Sequence, residues 1–374
     1  MPTSRELLSW VTLTRTPGIN VAGIATALDS LGQAAGVLDA PDQLRARAGL
    51  SPAAREYLQS PEAEPTAAER AWLESPRHHL LAFNDARFPP ALRAVADCPV
   101  ALYVDGNPDV LSDAQLAIVG SRNPTAQGRQ TAFDFAQYLA QRGLVITSGL
   151  AQGIDTEAHR GALAGGGLTI GVLGTGVDWI YPRSNGALAD QIAASGALVS
   201  EFPLGTPAHK GNFPQRNRII AALALGTLVV EAARYSGSLI TARLAGEAGR
   251  EVFAIPGSIH NPLARGCHQL IRQGAKLTET ADDILTELDF SSVFGAGKPP
   301  APASAAASGP GAGMDKDHKI LLDALGFDPT DLDMLVARTG FNAQAVSSMM
   351  LILELEGHVQ AAPGGRYSRV SRSP

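Results

Sequence analysis

The sequence predicts an α/β protein whose central unit is a Rossmann-like, doubly wound and mostly parallel sheet. Between residues 80 and 290, apolar runs of strand length alternate with stretches of helical periodicity. Most of these runs end in a glycine followed by a small polar residue. Continuous apolar strands joined by helical crossovers are typical of parallel sheets that helices cover on both faces. Such sheets bind their ligands beyond the carboxyl ends of the strands.

Length and composition restrict the class of protein. With 374 residues, of which 45% are hydrophobic, the chain is long enough for two or three domains. No apolar run approaches the ~18 residues of a membrane span, and the first residues lack the pattern of a signal peptide. The two cysteines, Cys98 and Cys267, exclude a disulfide framework and a cysteine-based zinc site. We therefore expect a cytoplasmic protein without a membrane partner.

The distribution of charge says more than the net charge of −6. Residues 209–276 contain nine Lys/Arg and three acidic residues, whereas residues 277–333 contain eleven acidic residues and three lysines. A polyanion is attracted by the local field of a basic surface rather than by the charge of the whole molecule. The central region is therefore compatible with nucleic-acid binding.

Residues 1–75 are predicted to form a small helical domain. An apolar stretch over residues 7–13 is followed by Pro-Gly-Ile-Asn at 17–20 and by a second helical stretch. A hairpin of this kind joins the helices of helix-hairpin-helix and SAM-like modules, where its backbone amides face phosphate. The pattern also fits a plain helical packing module, because no Lys or Arg follows the hairpin closely.

The extended Rossmann-like domain is predicted over residues 76–290. Its strands are expected at residues 80–83, 101–104, 116–119, 144–147, 169–173, 197–200, 227–230 and 252–255. Its principal helices are expected at residues 127–141, 155–164, 216–225 and 238–248. The first two strands are short and are expected to extend the sheet at its start.

A linker and a winged helix are predicted after the sheet. Residues 291–313 are rich in Pro, Ala, Ser and Gly, which is typical of a flexible linker. Within the predicted winged-helix domain at 314–374, three helices are expected at 316–325, 331–338 and 343–356, followed by a hairpin at 358–361 and 366–370. The third helix contains no Lys or Arg, so double-stranded DNA and a protein are equal candidates for its partner.

A phosphate site is predicted after one of the central strands. Gly120, Ser121 and Arg122 follow an apolar strand and precede a helix. Glycine admits close backbone approach, the helix start offers unpaired N–H groups, and arginine forms charge-assisted bonds to phosphate. The chain has no G-x-G-x-x-G fingerprint after this strand and no Walker A sequence, and no acid follows Ser148-Gly149 to hold a ribose. We therefore expect no nicotinamide or other cofactor.

Asp155 and His159 lie one helical turn apart after the next strand. A catalytic or metal-binding pair is conceivable, but a metal needs a third ligand and none is spaced nearby. The favoured interpretation is an N-cap aspartate beside a hydrogen-bonded core histidine. We expect neither a catalytic residue nor a metal site.

The loop after the predicted strand at 169–173 combines aromatic and basic residues. Trp179 and Tyr181 precede Arg183 and Asn185. Aromatic platforms beside cations suit an unpaired nucleic-acid strand. In the alternative interpretation the two aromatic residues belong to the core or to an interface, and only Arg183 and Asn185 face solvent.

Two arginines lie in the most basic helix. Arg216 is in line with three apolar residues of the helix, so it lies over the buried stripe and needs a partner, for which Glu201 and Glu231 are candidates. Arg218 points to a different side of the helix. One of the two arginines is therefore expected to be structural, and Arg216 fits that role better.

Other polar groups are predicted at the same edge of the sheet. Lys210 and Asn212 precede the arginine helix, and Ser236, Gly237 and Ser238 mark another helix start. Small hydroxyl residues at a helix start form an anion-accepting nest. Several such termini along one edge suit a ligand with consecutive phosphates.

Seven sequence blocks follow one another along residues 118–275. They read IVGSRNPT, SGLAQGIDTEAH, GVLGTGVDWIYPRSN, SEFPLGT, NFPQRNRII, VVEAARYSGSLITARLAGEAGREVFAIPG and RGCHQLIRQGA. In this order they resemble the DNA processing protein A (DprA/Smf) family of recombination mediators.

The resemblance implies a homodimer that binds single-stranded DNA without strong sequence preference. It also implies loading of the RecA recombinase onto that DNA in natural transformation, with DNA repair as a further task, and it implies no catalysis. The DNA-binding residues that it implies, together with the second anion nest, are Gly120, Ser121, Arg122, Arg183, Asn185, Lys210, Asn212, Arg216, Arg218, Ser236, Gly237 and Ser238.

Two other functions stay open as hypotheses. The first is a nucleotide phosphoribohydrolase of the lysine-decarboxylase-like group, whose fold is similar. That group carries a PGGxGTxxE block with a catalytic glutamate, whereas residues 236–241 read SGSLIT here. The second is a regulator that binds double-stranded DNA through the winged helix alone.

Overall fold

The computed structural model describes residues 4–95, 97–290, 316–326, 329–362 and 364–370. These residues form a helical N-terminal part, a nine-stranded sheet with its helices, and a small winged-helix unit. The predicted linker at 291–313 lies outside the described residues. Within the described ranges, no helix combines the length and the apolar character that a membrane span requires.

Six α-helices precede the sheet in the described part of the chain. They are α1 (Ser4–Arg15), α2 (Val21–Leu31), α3 (Ala34–Asp39), α4 (Asp42–Arg47), α5 (Pro52–Tyr57) and α6 (Ala67–Glu74). The hairpin between α1 and α2 ends at Asn20, whose side chain accepts a hydrogen bond from Gly23 N at 2.8 Å and caps α2. The predicted helical character of this part is therefore present, while phosphate binding by the hairpin stays a prediction.

The nine-stranded sheet is mostly parallel, as predicted. Its strands are β1 (His78–Ala82), β2 (Ala101–Gly106), β3 (Gln115–Val119), β4 (Val145–Ser148), β5 (Thr169–Val172), β6 (Ala197–Ser200), β7 (Gly226–Val229), β8 (Glu251–Ala254) and β9 (Lys276–Leu277). Their spatial order is β1-β2-β6-β5-β4-β3-β7-β8-β9. β1 and β2 form an antiparallel edge beside β6, and the other neighbours are parallel. The direction of winding reverses between β3 and β7.

Helices cover both faces of this sheet. They are α7 (Pro90–Arg93), α8 (Ala126–Gln141), α9 (Ile154–Ala164), α10 (Gly186–Ser195), α11 (Asn212–Leu223), α12 (Ser238–Glu247), α13 (Arg265–Arg272) and α14 (Ala281–Glu287). Along β3, Leu116 and Ile118 share a core cluster with α8 and α9, whereas Ala117 and Val119 share one with α7 and α11. Because successive strand residues point to opposite faces, this alternation confirms the doubly wound class.

α11 begins four residues earlier than predicted. It spans Asn212–Leu223 rather than 216–225, and Pro214 is its third residue. Proline is tolerated in the first turn of a helix because the N–H groups there have no intrahelical acceptor. Arg216 therefore lies inside the helix, and the helix start lies next to Lys210.

The N-terminal helices and the antiparallel edge of the sheet share one hydrophobic cluster. Trp10 on α1 is buried, and its ring lies edge-on to Phe83 with 5.9 Å between the centroids. Tyr103 on β2 is fully buried, and its hydroxyl lies 2.8 Å from Thr14 Oγ1. The predicted division of the chain near residue 75 stays a prediction, and side chains on both sides of it are buried together.

The C-terminal elements have the predicted winged-helix outline. They are α15 (Lys316–Leu325), β10 (Thr330–Asp331), α16 (Leu332–Thr339), α17 (Ala343–Leu355), β11 (Val359–Ala362) and β12 (Arg366–Arg369). β12 pairs antiparallel with β11 and with the two-residue β10, which the sequence does not predict. Leu321, Leu335, Val346 and Leu353 belong to the core of this unit.

Candidate nucleic-acid interface

A cavity of about 720 Å³ lies beyond the carboxyl ends of β3 and β7, where the strand order reverses. Ligands of open α/β sheets bind at such a point because the connections after the two strands run to opposite faces and leave a crevice. We call this space the main cavity. The sequence-predicted site residues that line it are Gly120, Ser121, Arg122, Lys210, Arg216, Ser236, Gly237 and Ser238.

The loop after β3 is held from two sides. Thr125 donates from its N–H and its Oγ1 to the buried carboxylate of Glu231, at 2.9 and 2.7 Å. Ser121 O accepts a hydrogen bond from Ile154 N at 3.1 Å. A Cβ at Gly120 would lie 2.7 Å from Ile154 Cγ1, so glycine lets α9 pack against the strand end. The loop is therefore preorganised before any ligand binds.

Arg122 lines the main cavity beside two aromatic rings. Its guanidinium carbon lies 5.6 Å from the centroid of the Phe213 ring. The Phe213 ring in turn lies 5.6 Å from that of Tyr181, with the planes tilted by 40°. Tyr181 is 46% exposed, and Arg122 is exposed as well. In such an arrangement the cation can bind a phosphate while the neighbouring ring stacks on a base.

The opposite wall belongs to the start of α12. Ser236 Oγ and Ser238 Oγ lie 2.7 Å apart at the start of this helix, whose first N–H groups donate to Ser236 and Gly237. Tyr235 is 98% exposed at the edge of the cavity, and Lys210 is exposed two residues before α11. This wall offers hydroxyl groups and a cation to an anion, and an aromatic ring to a base.

Arg216 lies at the floor of the main cavity and is 5% exposed. Its Nη1 donates to the carbonyl of Val172 at the end of β5. Its guanidinium covers Gly149, where an added Cβ would overlap it. The buried Asp155 balances its charge and accepts a hydrogen bond from Gly149 N at 3.1 Å. Arg216 therefore ties the ends of β4 and β5 to α11.

The acidic partners that the sequence suggests for Arg216 are wrong. Glu231 holds the loop after β3, and Glu201 forms an ion pair with Arg218. The acid whose charge acts on Arg216 is Asp155, the second residue of the helix that follows β4. Linear spacing does not show this proximity, because it arises only when parallel strands place their ends side by side.

Asp155, Arg216 and His159 form a buried polar group. Burial raises the pKa of Asp155, although the charge of Arg216 opposes the shift. Burial lowers the pKa of Arg216 to about 10, so it stays charged at neutral pH. Burial and the charge of Arg216 lower the pKa of His159 to about 3, and its Nδ1 lies 2.7 Å from Thr169 Oγ1. His159 is therefore a neutral core residue.

The predicted cap role of Asp155 is wrong. Gly153, with φ of 84°, is the N-cap of α9, and Asp155 is the second residue of the helix. Its carboxylate faces the preceding loop instead of the first helical N–H groups. Across the described residues, no three His, Cys, Asp or Glu side chains are arranged to hold a metal ion.

Arg218 lies between two acids. Its Nη2 contacts the carboxylate of Glu201, and its Nε lies 3.0 Å from Asp97 Oδ2. The side chain is 13% exposed and does not line the main cavity. Contact of Arg218 with DNA stays a prediction, and a phosphate would have to compete with both carboxylates.

Arg183 and Asn185 point to different surroundings. Asn185 is 6% exposed, and its side-chain amide donates to Leu150 O at 2.9 Å and to Thr156 Oγ1 at 3.0 Å. It supports Leu150, whose φ of 55° is rare for a residue with a side chain. Arg183 is exposed. Trp179 and Tyr181 are 40% and 46% exposed, so they are not core residues, and the expectation that Asn185 faces solvent is wrong. A place for the two rings in an interface stays a prediction.

Sequence reasoning misses two aromatic residues of the main cavity, Phe213 and Tyr235. Each lies at a helix start in a stretch that contains Gly, Ser, Asn or Pro, and this context is the only signal that the sequence carries. Asn212, which the sequence does propose, is half-buried at the first position of α11 and does not line the cavity.

The winged-helix unit presents an apolar surface on α17. Leu351, Ile352 and Leu355 are exposed there, and the helix contains no Lys or Arg. Helices that read DNA in the major groove contact base edges and phosphates mainly through Arg, Lys, Asn and Gln. The exposed apolar side chains and the absence of Lys and Arg distinguish this helix from such DNA-reading helices, and its partner stays a prediction.

Comparisons with known proteins agree on one family. A family model described as DNA recombination-mediator protein A matches residues 79–289, and a model of the DprA winged helix domain matches residues 298–365. Protein Smf of Escherichia coli is 45% identical over 303 residues, which cover 81% of this chain and 80% of that protein.

The solved structures that are similar to this fold include two DNA processing proteins A. DNA processing protein A of Streptococcus pneumoniae superposes with a TM-score of 0.65 at 36% identity and covers 77% of this chain and 99% of its own. DNA processing protein A of Helicobacter pylori, a structure concerned with its single-stranded DNA binding mode, has a TM-score of 0.53 at 30% identity. That match covers 57% of this chain and 97% of the other.

Proposed function

This chain belongs to the DNA recombination-mediator protein A family, and from that premise we propose that it binds single-stranded DNA in the main cavity without strong sequence preference. The observation that carries the proposal is the row of Arg122, Phe213 and Tyr181 facing a wall of anion-accepting groups. Stacking rings accept any base, and cations accept any phosphate, so this combination does not select a sequence.

The charge of the cavity leads to a measurable salt dependence. Each phosphate contact with an unpaired strand releases counterions. The logarithm of the binding constant therefore falls linearly with the logarithm of the salt concentration, with a slope of about 0.7 per contact. Arg122 and Lys210 are exposed at the cavity, and Arg183 is exposed in the loop that carries Tyr181. We expect binding of oligodeoxythymidylate to weaken steeply as salt rises.

The test is a double variant, Arg122→Ala with Arg183→Ala. Loss of two phosphate contacts should weaken binding about tenfold at ~150 mM salt and should lower the salt slope by about 1.4. Fluorescence anisotropy with oligonucleotides of several sequences measures both quantities, and the loss should be alike for all sequences.

A matched control removes two arginines elsewhere. Arg5 and Arg70 lie on the N-terminal helices in exposed ion pairs with Asp39 and Glu64. The Arg5→Ala/Arg70→Ala variant should bind as the parent does. Salt screens the interaction between exposed charges that lie far apart, so arginines away from the main cavity contribute little to DNA binding. Equal affinity of the Arg122/Arg183 variant and the parent would show that the strand does not bind here.

We further propose that the protein is a homodimer that loads RecA onto the bound strand in natural transformation or repair, as the family resemblance implies. Loading is measured as the rate of RecA ATP hydrolysis on DNA that is already covered by a single-strand-binding protein. The full chain should shorten the lag before hydrolysis, and the Arg122/Arg183 variant should not.

The hydrolase hypothesis is distinguished by its product. Residues 236–241 supply hydroxyl groups to the cavity but no carboxylate. Glu231 is engaged by Thr125, so it is not poised as a free base. Incubation with AMP should release no adenine, and clear turnover would favour the enzyme.

The winged-helix hypothesis is distinguished by truncation. A chain without residues 314–374 should keep most of its affinity for single-stranded DNA, because every residue that lines the main cavity lies between residues 119 and 241. If binding depended on the winged helix, this truncation would abolish it. Competition between single- and double-stranded oligonucleotides on the full chain completes the comparison.

A further inference from the structure

We infer that a second depression, between the starts of α8 and α9, binds the sugar–phosphate backbone of nucleotides that extend beyond the main cavity. This inference rests on the proposed function, because it describes where a bound strand continues. We call the depression the arginine cleft. Its volume is about 380 Å³, and its lining includes Arg122, Asn123, Arg129, Gln152, Arg160 and Ser184.

One carboxylate orients two of the arginines in the cleft. Glu157 Oε1 lies 3.2 Å from Arg160 Nη1 and 3.7 Å from Arg129 Nη1. The Glu157 side chain is only 14% exposed, whereas those of Arg129 and Arg160 are 48% and 56% exposed. A guanidinium has five N–H donors, so most of the donors of both arginines remain turned to solvent and are available to a ligand.

The cleft carries an excess of positive charge. Arg122, Arg129 and Arg160 stand against the single acid Glu157, and one arginine would be enough to balance it. The start of α9 borders the cleft through Gly153 and Thr156, and the dipole of a helix favours an anion at its start. The local field therefore favours a polyanion.

The cleft is continuous with the main cavity. Arg122 lines both, and a connecting depression of about 110 Å³ is lined by Arg122, Gln152 and Tyr181 among others. A strand that leaves the main cavity past Arg122 enters this depression, whose lining contains Arg122 and the ring of Tyr181 and no acidic residue, and from there reaches the cleft. The main cavity is lined by three aromatic rings and the cleft by none. The cleft therefore holds phosphates, while bases stack in the main cavity.

The test compares two lengths of oligodeoxythymidylate on the full chain. A strand of about five nucleotides fills the main cavity alone, and one of about 25 nucleotides also reaches the cleft. The Arg129→Gln/Arg160→Gln variant should bind the long strand about tenfold more weakly at ~150 mM salt, with a salt slope lowered by about 1.4. Its affinity for the short strand should equal that of the parent.

Two further variants separate a local contact from a general effect. Arg142 lies at the other end of α8, about 20 Å from Arg129 along the helix, and Arg142→Gln should leave binding of the long strand unchanged. Glu157→Gln removes the acid from the cleft and should strengthen binding of the long strand severalfold. A folding defect cannot produce that increase.

The outcomes distinguish this inference from the proposed function. If the parent binds the long strand and the Arg129/Arg160 variant binds it equally well, the cleft is not part of the path, and binding in the main cavity still stands. Equal weakening for both lengths would also overturn the inference, because it would indicate a long-range charge effect. If the parent binds neither strand, the proposed function fails, and the inference fails with it.

Discussion

At the scale of single residues, Arg216 shows how a charge is kept in the interior. The guanidinium is buried between the carbonyl of Val172, the carboxylate of Asp155 and the backbone of Gly149. A buried charge without such partners would cost several kcal/mol. The same contacts set the distance between the loops after β4 and β5, so a residue of the cavity floor also determines the shape of the cavity.

Gly149 is expected to tolerate no side chain. In Gly149→Ala, the new Cβ would overlap the Arg216 guanidinium, which would have to give up its hydrogen bond to Val172 and its place beside Asp155. We expect the free energy of unfolding to fall by about 2 kcal/mol or more, measured by urea denaturation. Gly246→Ala on α12 is the control, because nothing lies within 4 Å of the added Cβ. Equal stability of the two variants would show that Arg216 does not rest on Gly149.

His159 should make the fold sensitive to acid. Its pKa of about 3 in the folded protein lies below the ordinary value of 6.5, because burial and Arg216 oppose its protonation. As the pH falls, His159 is therefore protonated in the unfolded chain before it is protonated in the folded protein, and the free energy of unfolding decreases below about pH 6.5. This residue should account for about 2 kcal/mol between pH 7 and pH 5.

The measurement is the free energy of unfolding at both pH values for the parent and for His159→Gln, which does not titrate. The variant should lose about 2 kcal/mol less than the parent over the same interval. Asp155 acts in the opposite direction, because burial raises its pKa, and it is present in both proteins. An unchanged difference between pH 7 and pH 5 would contradict the role assigned to His159.

At the scale of elements, α11 joins two functions on one helix. Its first turn brings Phe213 to the main cavity, and its buried side packs Ile219 and Ile220 against the sheet. Between them, Arg216 and Arg218 link the helix to the ends of three strands. The helix therefore carries the stacking ring on a support that cannot shift without breaking the Arg218–Glu201 ion pair and the hydrogen bond from Arg216 to Val172.

Arg218 is expected to contribute to stability through Glu201. Both side chains are more than four-fifths buried, and removing one partner leaves the other charge unpaired. In Arg218→Met, the free energy of unfolding should fall by about 3 kcal/mol. The double variant Arg218→Met/Glu201→Gln should regain much of that loss, because burying an amide is less costly than burying an unpaired carboxylate.

An exposed ion pair supplies the comparison for Arg218. Arg243 and Glu247 on α12 are both more than half exposed, and Arg243→Met should change stability by less than about 0.5 kcal/mol. A similarly small effect of Arg218→Met, together with a large loss of DNA affinity, would instead assign Arg218 to the ligand.

At the scale of the whole molecule, the reversal of winding between β3 and β7 creates the site. The connections from these neighbouring strands diverge, and the starts of α11 and α12 close around the space between them. At the far edge of the same sheet, β1 and β2 bury side chains jointly with the N-terminal helices. The same sheet thus forms the main cavity and packs against the N-terminal helices.

The shared core predicts cooperative unfolding of the N-terminal helices and the sheet. Trp10→Ala should lower stability by about 3 to 4 kcal/mol, because the indole is buried against Phe83 at the sheet edge. The unfolding transitions followed by tryptophan fluorescence and by far-UV circular dichroism should coincide, and both should move to a lower urea concentration in this variant. Trp179→Phe, at a position that is 40% exposed, serves as the control with little change. Separate transitions for the two signals would indicate independent domains.

Much of the fold and part of the site follow from local patterns. The strands and helices around β3 and β4 are predicted within one or two residues, because apolar runs and glycine boundaries are properties of the local chain. Arg122, Ser236 and Ser238 are found for the same reason, since each marks a strand end or a helix start. The beginning of α11 is missed because Pro214 suggests a break where the first turn accepts it.

The sequence by itself determined the class of sheet, the order of its elements, the positions of the glycine-rich strand ends and the family. Only the tertiary structure decided which side chains share a space. The pairing of Arg216 with Asp155, the burial of Asn185 and the array of Arg122, Phe213 and Tyr181 join residues from different strand ends. Periodicity reports the face on which a residue lies, whereas contacts across loops depend on how the strands are ordered in space, and that order is a property of the whole sheet.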